Sequence, residues 1–264
     1  MTESMLERFG AASRRRAGER MAAHPLAGYE EILDSLPPAR PFSARLARGA
    51  GPLPRVIAEL KRRSPSAGEL QEPYHPRRIA LGYARVGAAA LSVLTEPESF
   101  GGDPAHMLEV RGAHLPILRK DFLVTPWQIA ESRVHAADAV LLIAGLLKGP
   151  ALELMMAAAS RYGVEALVEV HNEEDMARAC GAGARLIGVN SRDLATMTVD
   201  LKTAERLAHR VPPDCVAVAE SGIRTRADID RLMACGYESF LVGESLLRSG
   251  DPGDALWRLM AGTS

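Results

Sequence analysis

The 264-residue chain carries a formal net charge of −1, with 47% hydrophobic and 25% charged residues. That balance describes a globular protein with a sizeable core and excludes low-complexity disorder; near-neutral charge gives no reason to expect nucleic acid or an anionic membrane as partner, and no stretch reaches the ~20 apolar residues of a membrane span. Three cysteines without a CxxC pair and seven histidines without HExxH spacing argue against a disulfide framework or a metal centre, and fit a reducing cytoplasm.

Residues 1–50 precede the first strand signal. "AASRRRAGER" is polar and helical in character, with no apolar leader, and its Arg14, Arg15 and Arg16 read as a solvated helix face. "GYEEILDSLPPARPF" reads as a helix stopped by Pro37 and Pro38. Residues 1–50 are therefore predicted as a helical extension packed on a domain formed by residues 51–264.

Eight short apolar runs follow, at residues 56–60, 91–94, 117–119, 139–143, 166–170, 186–189, 216–219 and 240–242. Amphipathic segments with helix punctuation separate them: Thr125 before Pro126, Thr225 with Asp228 and a stop at Gly236, and Asp251 before Pro252. One strand per 20 to 35 residues is the period of a βα unit, and eight units of this total length predict a single (β/α)8 TIM barrel. A doubly wound dinucleotide fold is the competitor. Its fingerprint fails here, because "GAGARLIGV" lacks the third glycine and runs from a helix end into a strand.

A barrel places its site at the C-terminal ends of the strands. Those ends carry Glu59 and Lys61, Lys120, Glu169, Asn190, Glu220 with Ser221, and Gly243. Glu59 and Lys61 share one face, ~7 Å apart, since strand side chains alternate. Charges at the ends of otherwise apolar strands are costly unless used. Of the 32 lysines and arginines only Lys61, Lys120, Lys148 and Lys202 are lysine. Arginine cannot give up its proton, whereas lysine can, so lysines at two strand ends point to proton donation or a compact charge. Gly222 and Gly243 follow the last two strands, where backbone N–H groups, here including that of Glu244, can cradle a phosphate. His171 is read as structural, on the opposite face from Glu169 or in the loop. The three cysteines and Trp127 are read as packing residues. Phe100 and Phe122 are either core or the wall of an aromatic pocket, and Arg192 either pairs with Asp193 or reaches an anionic group. The loop at residues 64–76, rich in Ser, Pro and Gly, is a candidate lid.

With these residues in place, "VIAELKRRSPSAG", "LSVLTEPESFGG", "PILRKDFLVTPWQI", "ADAVLLIA", "LVEVHNEEDM", "LIGVNSRDL", "VAESGIRTRADI" and "FLVGESLLR" resemble, in order, the indole-3-glycerol-phosphate synthase family. The resemblance implies a cofactor-free, metal-free ring closure of 1-(2-carboxyphenylamino)-1-deoxyribulose 5-phosphate, with loss of CO₂ and water, in tryptophan biosynthesis. It implies Lys120 as general acid, Glu169 as acid/base partner in the dehydration, and Lys61, steered by Glu59, holding substrate. Asn190 and Glu220 would orient the ring and hydroxyls. Ser64, Arg192 and Ser221 would bind substrate, Lys61, Gly222, Gly243 and the Glu244 backbone the phosphate, and Phe100 with Phe122 the aromatic ring. Ala67, Trp127 and "VHAAD" depart from the family pattern away from any reacting group. Two rivals are weighed: a sugar-phosphate isomerase of the phosphoribosylanthranilate type, which would want a Cys and Asp pair at strand ends, and a non-catalytic phosphometabolite-binding barrel. The expected partner is a phosphorylated aromatic small molecule. The sequence sets no oligomeric state and is compatible with a monomer.

Overall fold

The computed structural model describes residues 4–47, 49, 53–193 and 196–262. Strands β1 (Arg55–Leu60), β2 (Ala90–Leu94), β3 (Ile117–Lys120), β4 (Ala139–Ile143), β5 (Glu165–Val170), β6 (Leu186–Asn190), β7 (Val216–Glu220) and β8 (Ser239–Val242) close into a parallel barrel in which β1 pairs with both β2 and β8. Each coincides with one predicted apolar run, extended by a residue or so. The extension matters on β3, β6 and β7, because Lys120, Asn190 and Glu220 are held inside the hydrogen-bonded ladder rather than beyond it.

Alternation sorts the side chains. Ile57, Leu118, Leu141, Leu167, Leu186, Val218 and Leu241 point inward and fill the barrel with an apolar layer. Their strand neighbours Val56, Ala58, Ile117, Val140, Leu142 and Val168 point outward into the layer shared with the helices. Two positions along from the inward apolar layer lie Glu59, Lys120, Glu169 and Glu220, so the interior changes from hydrocarbon to charge within one step of the pleat.

The predicted extension reaches both ends of this barrel. Helix α1 (Met5–Ala23) begins with a Ser4–Glu7 capping box. Gly10 packs so closely on Leu146 that a Cβ there would overlap its Cδ1. Arg16 corrects the solvated-face reading: it is half-buried and paired with Glu96 at 3.1 Å and Glu98 at 2.9 Å, while Arg14 and Arg15 are exposed. Helix α2 (Leu26–Leu33) ends short of Pro37 and sets Tyr29 on Trp127, whose indole N–H donates to the His24 carbonyl at 2.9 Å. Phe42 and Leu46 then plug the barrel's N-terminal end, fastened by the Phe42 N–H to Glu165 at 2.6 Å and by the Ser239 hydroxyl to the Leu46 carbonyl at 2.8 Å. Thr125, Thr225 and Asp251 cap their helices as expected. Cys180 and Cys215 are half-buried, but Cys235 is exposed at a helix end, contrary to a packing role.

Behind β3 lies a buried ionic cluster. Arg119, fully buried, points away from the barrel axis and meets Asp121 at 3.0 Å, Glu131 at 2.8 Å and the Thr95 hydroxyl at 3.1 Å; Arg20 of α1 reaches the same Glu131. Removing the guanidinium would strand two carboxylates in the core. Arg119→Ala is therefore expected to cost about 3–5 kcal/mol of stability, read as a lower urea midpoint. A loss below about 1 kcal/mol, the worth of a surface pair, would show that the cluster is dispensable.

Candidate active site

The charged ends of the strands open into one cavity of about 590 Å³ at the C-terminal mouth of the barrel. Every residue expected to act on or bind a substrate lies in its lining: Glu59, Lys61, Ser64, Phe100, Lys120, Phe122, Glu169, Asn190, Arg192, Glu220, Ser221, Gly222, Gly243 and Glu244.

At the centre, Lys120 Nζ donates to Glu169 at 2.8 Å and to Glu220 at 2.6 Å. Lys61 Nζ donates to Glu59 at 2.6 Å. Burial would strip Lys120 of its proton, yet the charges of Glu169 and Glu220 overcome it and hold the ammonium more firmly protonated than a free lysine. The two carboxylates are not equivalent. Burial opposes ionisation of Glu169, but Lys120 and His171 together keep its carboxyl well below the usual range. Glu220 is pushed up to about 7 by burial, with Lys120 pulling the other way and the Glu169 charge adding to the rise. Its Oε1 is buried without a hydrogen-bond partner. The room for Glu220 comes from Gly188 on β6, where any Cβ would overlap Oε1.

His171 differs from its structural reading. Two residues beyond Glu169 restores the same face, not the opposite one, and the ring lies with Nε2 3.3 Å from Glu169 and Nδ1 3.7 Å from Asp175. Burial lowers its basicity, but the contacts with Asp175 and Glu169 prevail and lift the imidazole to about 10.

One wall is aromatic. Phe122 and Phe100 both line the cavity, and Phe9 of α1 stacks on Phe122 at 4.4 Å between centroids. Sequence reasoning missed Phe9; the signal was there in Leu6, Phe9, Gly10, Ser13 and Ala17, which recur at helical spacing on one face. The opposite side is backbone and small side chains. Ser64 is buried, its hydroxyl accepting from the Ala67 N–H at 3.1 Å. Gly222 sits at φ +83° beside Ser221 at φ +65°. A Cβ on Gly243 would overlap the Glu59 carboxylate. The Glu244 side chain turns toward Arg248 at 3.1 Å and Arg192 at 3.9 Å. Arg192 donates from Nη1 to the Met197 carbonyl at 3.1 Å, and the Asn190 amide oxygen accepts the Arg192 N–H at 2.9 Å. The candidate lid holds a small antiparallel hairpin, Arg63–Ser64 with Gly68–Glu69. Cys180, Cys215 and Cys235 lie outside the cavity lining, which deprives the isomerase reading of its thiol base.

A family model described as indole-3-glycerol phosphate synthase matches residues 6–259. The chain is 43% identical over 251 residues to an indole-3-glycerol phosphate synthase of Rhodospirillum rubrum, covering 94% of this chain and 95% of that protein. It is 49% identical over 208 residues to one of Carboxydothermus hydrogenoformans, covering 78% and 79%. Among solved structures, KGPDC of Streptococcus mutans superposes with a TM-score of 0.61 at 14% identity, over 78% of this chain and 95% of that one, a likeness of fold.

Glu220 offers a test of the electrostatics. Its carboxyl is raised from an ordinary 4.5 to about 7, so the folded state binds the proton more tightly, and the associated stability is complete below about 4.5 and lost as pH rises through 7. Glu220→Gln escapes that loss. Thermal scans should show the variant equal to the wild type near pH 4 and more stable at pH 8 by roughly 6–12 °C, since a rise from 4.5 to about 7 is worth about 3 kcal/mol and each 1 kcal/mol moves Tm by about 2–4 °C at this size; an equal Tm at both would count against a raised Glu220.

Proposed function

The chain belongs to the indole-3-glycerol phosphate synthase family, and from that premise we propose how its rim divides the work. The reaction converts 1-(2-carboxyphenylamino)-1-deoxyribulose 5-phosphate into indole-3-glycerol phosphate, with loss of CO₂ and water, a carboxy-lyase step of tryptophan biosynthesis. No described helix is long and apolar enough to cross a membrane, and the unpaired thiols support a cytoplasmic setting.

The observation that carries the assignment is Lys120 Nζ, held between Glu169 and Glu220 at the floor of a cavity with an aromatic wall. The ring carbon bearing the carboxylate attacks the ketone, and the carbonyl oxygen gains negative charge as the bond forms. Lys120 faces that oxygen with a fixed ammonium in a water-poor site, stabilises the charge and supplies the proton. A lysine so firmly protonated gives its proton up only to a strong base. An alkoxide is one, and the unreacted ketone is not, so the transfer belongs to the transition state. Loss of CO₂ restores the ring, and dehydration follows with Glu169 as the proton acceptor.

Glu59 keeps Lys61 aimed at the substrate, where its charge serves the phosphate and the departing hydroxyl. Asn190 and Glu220 orient the ring and hydroxyls. The phosphate meets the backbone N–H groups at Gly222, Gly243 and Glu244; a Cβ would strike Val199 and Leu201 at the first and Glu59 at the second, so only glycine lets the backbone take this path, and the Glu244 carboxylate is drawn aside by Arg248 and Arg192. Ser64, Ser221 and Arg192 complete the polar contacts. Phe100 and Phe122, backed by Phe9, hold the anthranilate ring.

Indole product fluorescence tests the assignment. Lys120→Ala should reduce kcat by about 10²–10⁴-fold, the usual worth of a positioned general acid. Phe9→Ala should raise KM several-fold with kcat nearly unchanged, because it touches only the ring wall. A well-folded wild type that makes no indole product would overturn the reading; an active Lys120→Ala would move the proton-donor role to Lys61.

A further inference from the structure

Two buried carboxylates share one ammonium in this site, and their geometry is symmetric at Lys120: 2.8 Å to Glu169 and 2.6 Å to Glu220. The asymmetry lies behind them. Glu169 Oε1 faces His171 Nε2 at 3.3 Å, whereas Glu220 Oε1 is buried without a hydrogen-bond partner among the described residues and lies against Gly188, where a Cβ would overlap it. The imidazole Nε2 thus stands within ion-pair distance of Glu169.

We infer that His171 is a positioning residue that decides which of the two carboxylates is ionised: its charge on Glu169 keeps Glu169 the free base of the site and leaves the proton with Glu220. The inference deepens the proposed reaction and rests on it for the kinetic consequence. A dehydration needs one group that accepts a proton beside one that can present a hydrogen to the departing oxygen, and like carboxylates on a common cation cannot supply both unless something breaks the tie.

The groups that face His171 support a charged ring. On its own strand side stands Glu169. From the following helix, Glu173–Gly181, Asp175 approaches Nδ1 at 3.7 Å and its Oδ2 also accepts the His171 backbone N–H at 3.2 Å. The nearest opposing charge in that helix is Arg178, which spends itself on the Asp175 Oδ1 at 3.9 Å and on the Ala144 carbonyl at 2.8 Å. Lys120 and Glu220 act on the ring only through Glu169. Two anions therefore flank the imidazole, one on each nitrogen, and a neutral ring would have to turn a lone pair toward one of them.

His171 lies against Glu169 and outside the cavity lining. The test must therefore read the state of Glu169. Loss of an opposite charge within 4 Å raises a carboxyl by about 1–3 pH units. In His171→Asn, the acid limb of the kcat profile should move up by at least about one unit, which makes the variant about tenfold slower than wild type on the acid side, with KM changed less than threefold. His171→Lys, which returns the cation, should bring the limb back toward its wild-type position. A merely structural histidine would lower activity evenly across pH and would not be rescued by lysine.

The ring itself is read without turnover. In wild-type protein with 15N-labelled histidine, His171 should remain doubly protonated from pH 6 to 9; a ring that titrates below pH 7.5 overturns the inference. If His171→Asn fails to fold, His171→Gln carries the kinetic test, and Asp175→Asn tests the charge: a ring that has lost its outer anion should deprotonate at lower pH than in the wild type by 15N NMR, and an unchanged ring titration overturns the inference. A wild type without ring-closing activity would sink the proposed function, while the NMR titration would still decide the charge on His171.

Discussion

A lysine ammonium between two buried carboxylates is the interaction on which the rest of the molecule turns. Glu169 and Glu220 cannot both stay charged in an apolar barrel without a cation, and Lys120 cannot stay charged there without them. Each strand supplies one member at its C-terminal end, so the site exists only when β3, β5 and β7 are in register. The apolar layer beneath, from Ile57 to Leu241, does the holding. A lysine and two carboxyls resting on close-packed hydrocarbon cannot relax into a different pairing without moving strands, which is how a stable scaffold fixes groups whose own energetics are unfavourable.

The strand pattern was legible in the sequence because a parallel barrel buries its strands on both faces. Every strand reads as a short continuous apolar run, and a charge that interrupts its end stands out. Lys120, Glu169 and Glu220 were found in that way, as was Asn190; Gly222 and Gly243 were read from their place after the last two strands, and Ser64 came only with the family resemblance. What escaped depended on relations across the chain. Phe9 enters the cavity from the extension, more than a hundred residues before its stacking partner Phe122, and an amphipathic helix does not say which surface its stripe will cover. Arg16 looked like solvent-facing charge until Glu96 and Glu98 arrived from the β2 loop to bury it.

His171 escaped for a different reason. The alternation that located Glu169 also located His171 two positions later, and the error was to let the strand end cancel the parity. The first residue past a strand often keeps its phase. Arg119 was hidden by its neighbour: beside Lys120 it reads as one more cation at a strand end, yet the pleat turns it outward to Asp121 and Glu131. Two adjacent positive charges thus have opposite surroundings, one in the cavity at the barrel mouth and one in the frame that anchors β3 to the helix behind it.

The plug formed by Phe42 and Leu46 has a consequence for the order of assembly. Its fastenings are Glu165, on the fifth strand, and Ser239, which begins the last. On a ribosome the extension emerges before its partners, which are made much later, the Leu46–Ser239 bond spanning 193 residues. The first-made segment therefore has to wait, its apolar side chains unburied, until the eighth strand has left the exit tunnel. Separations of this kind slow folding and expose a nascent chain to misassociation. The same extension that lines the barrel mouth through Phe9 is, during synthesis, the last latch to close.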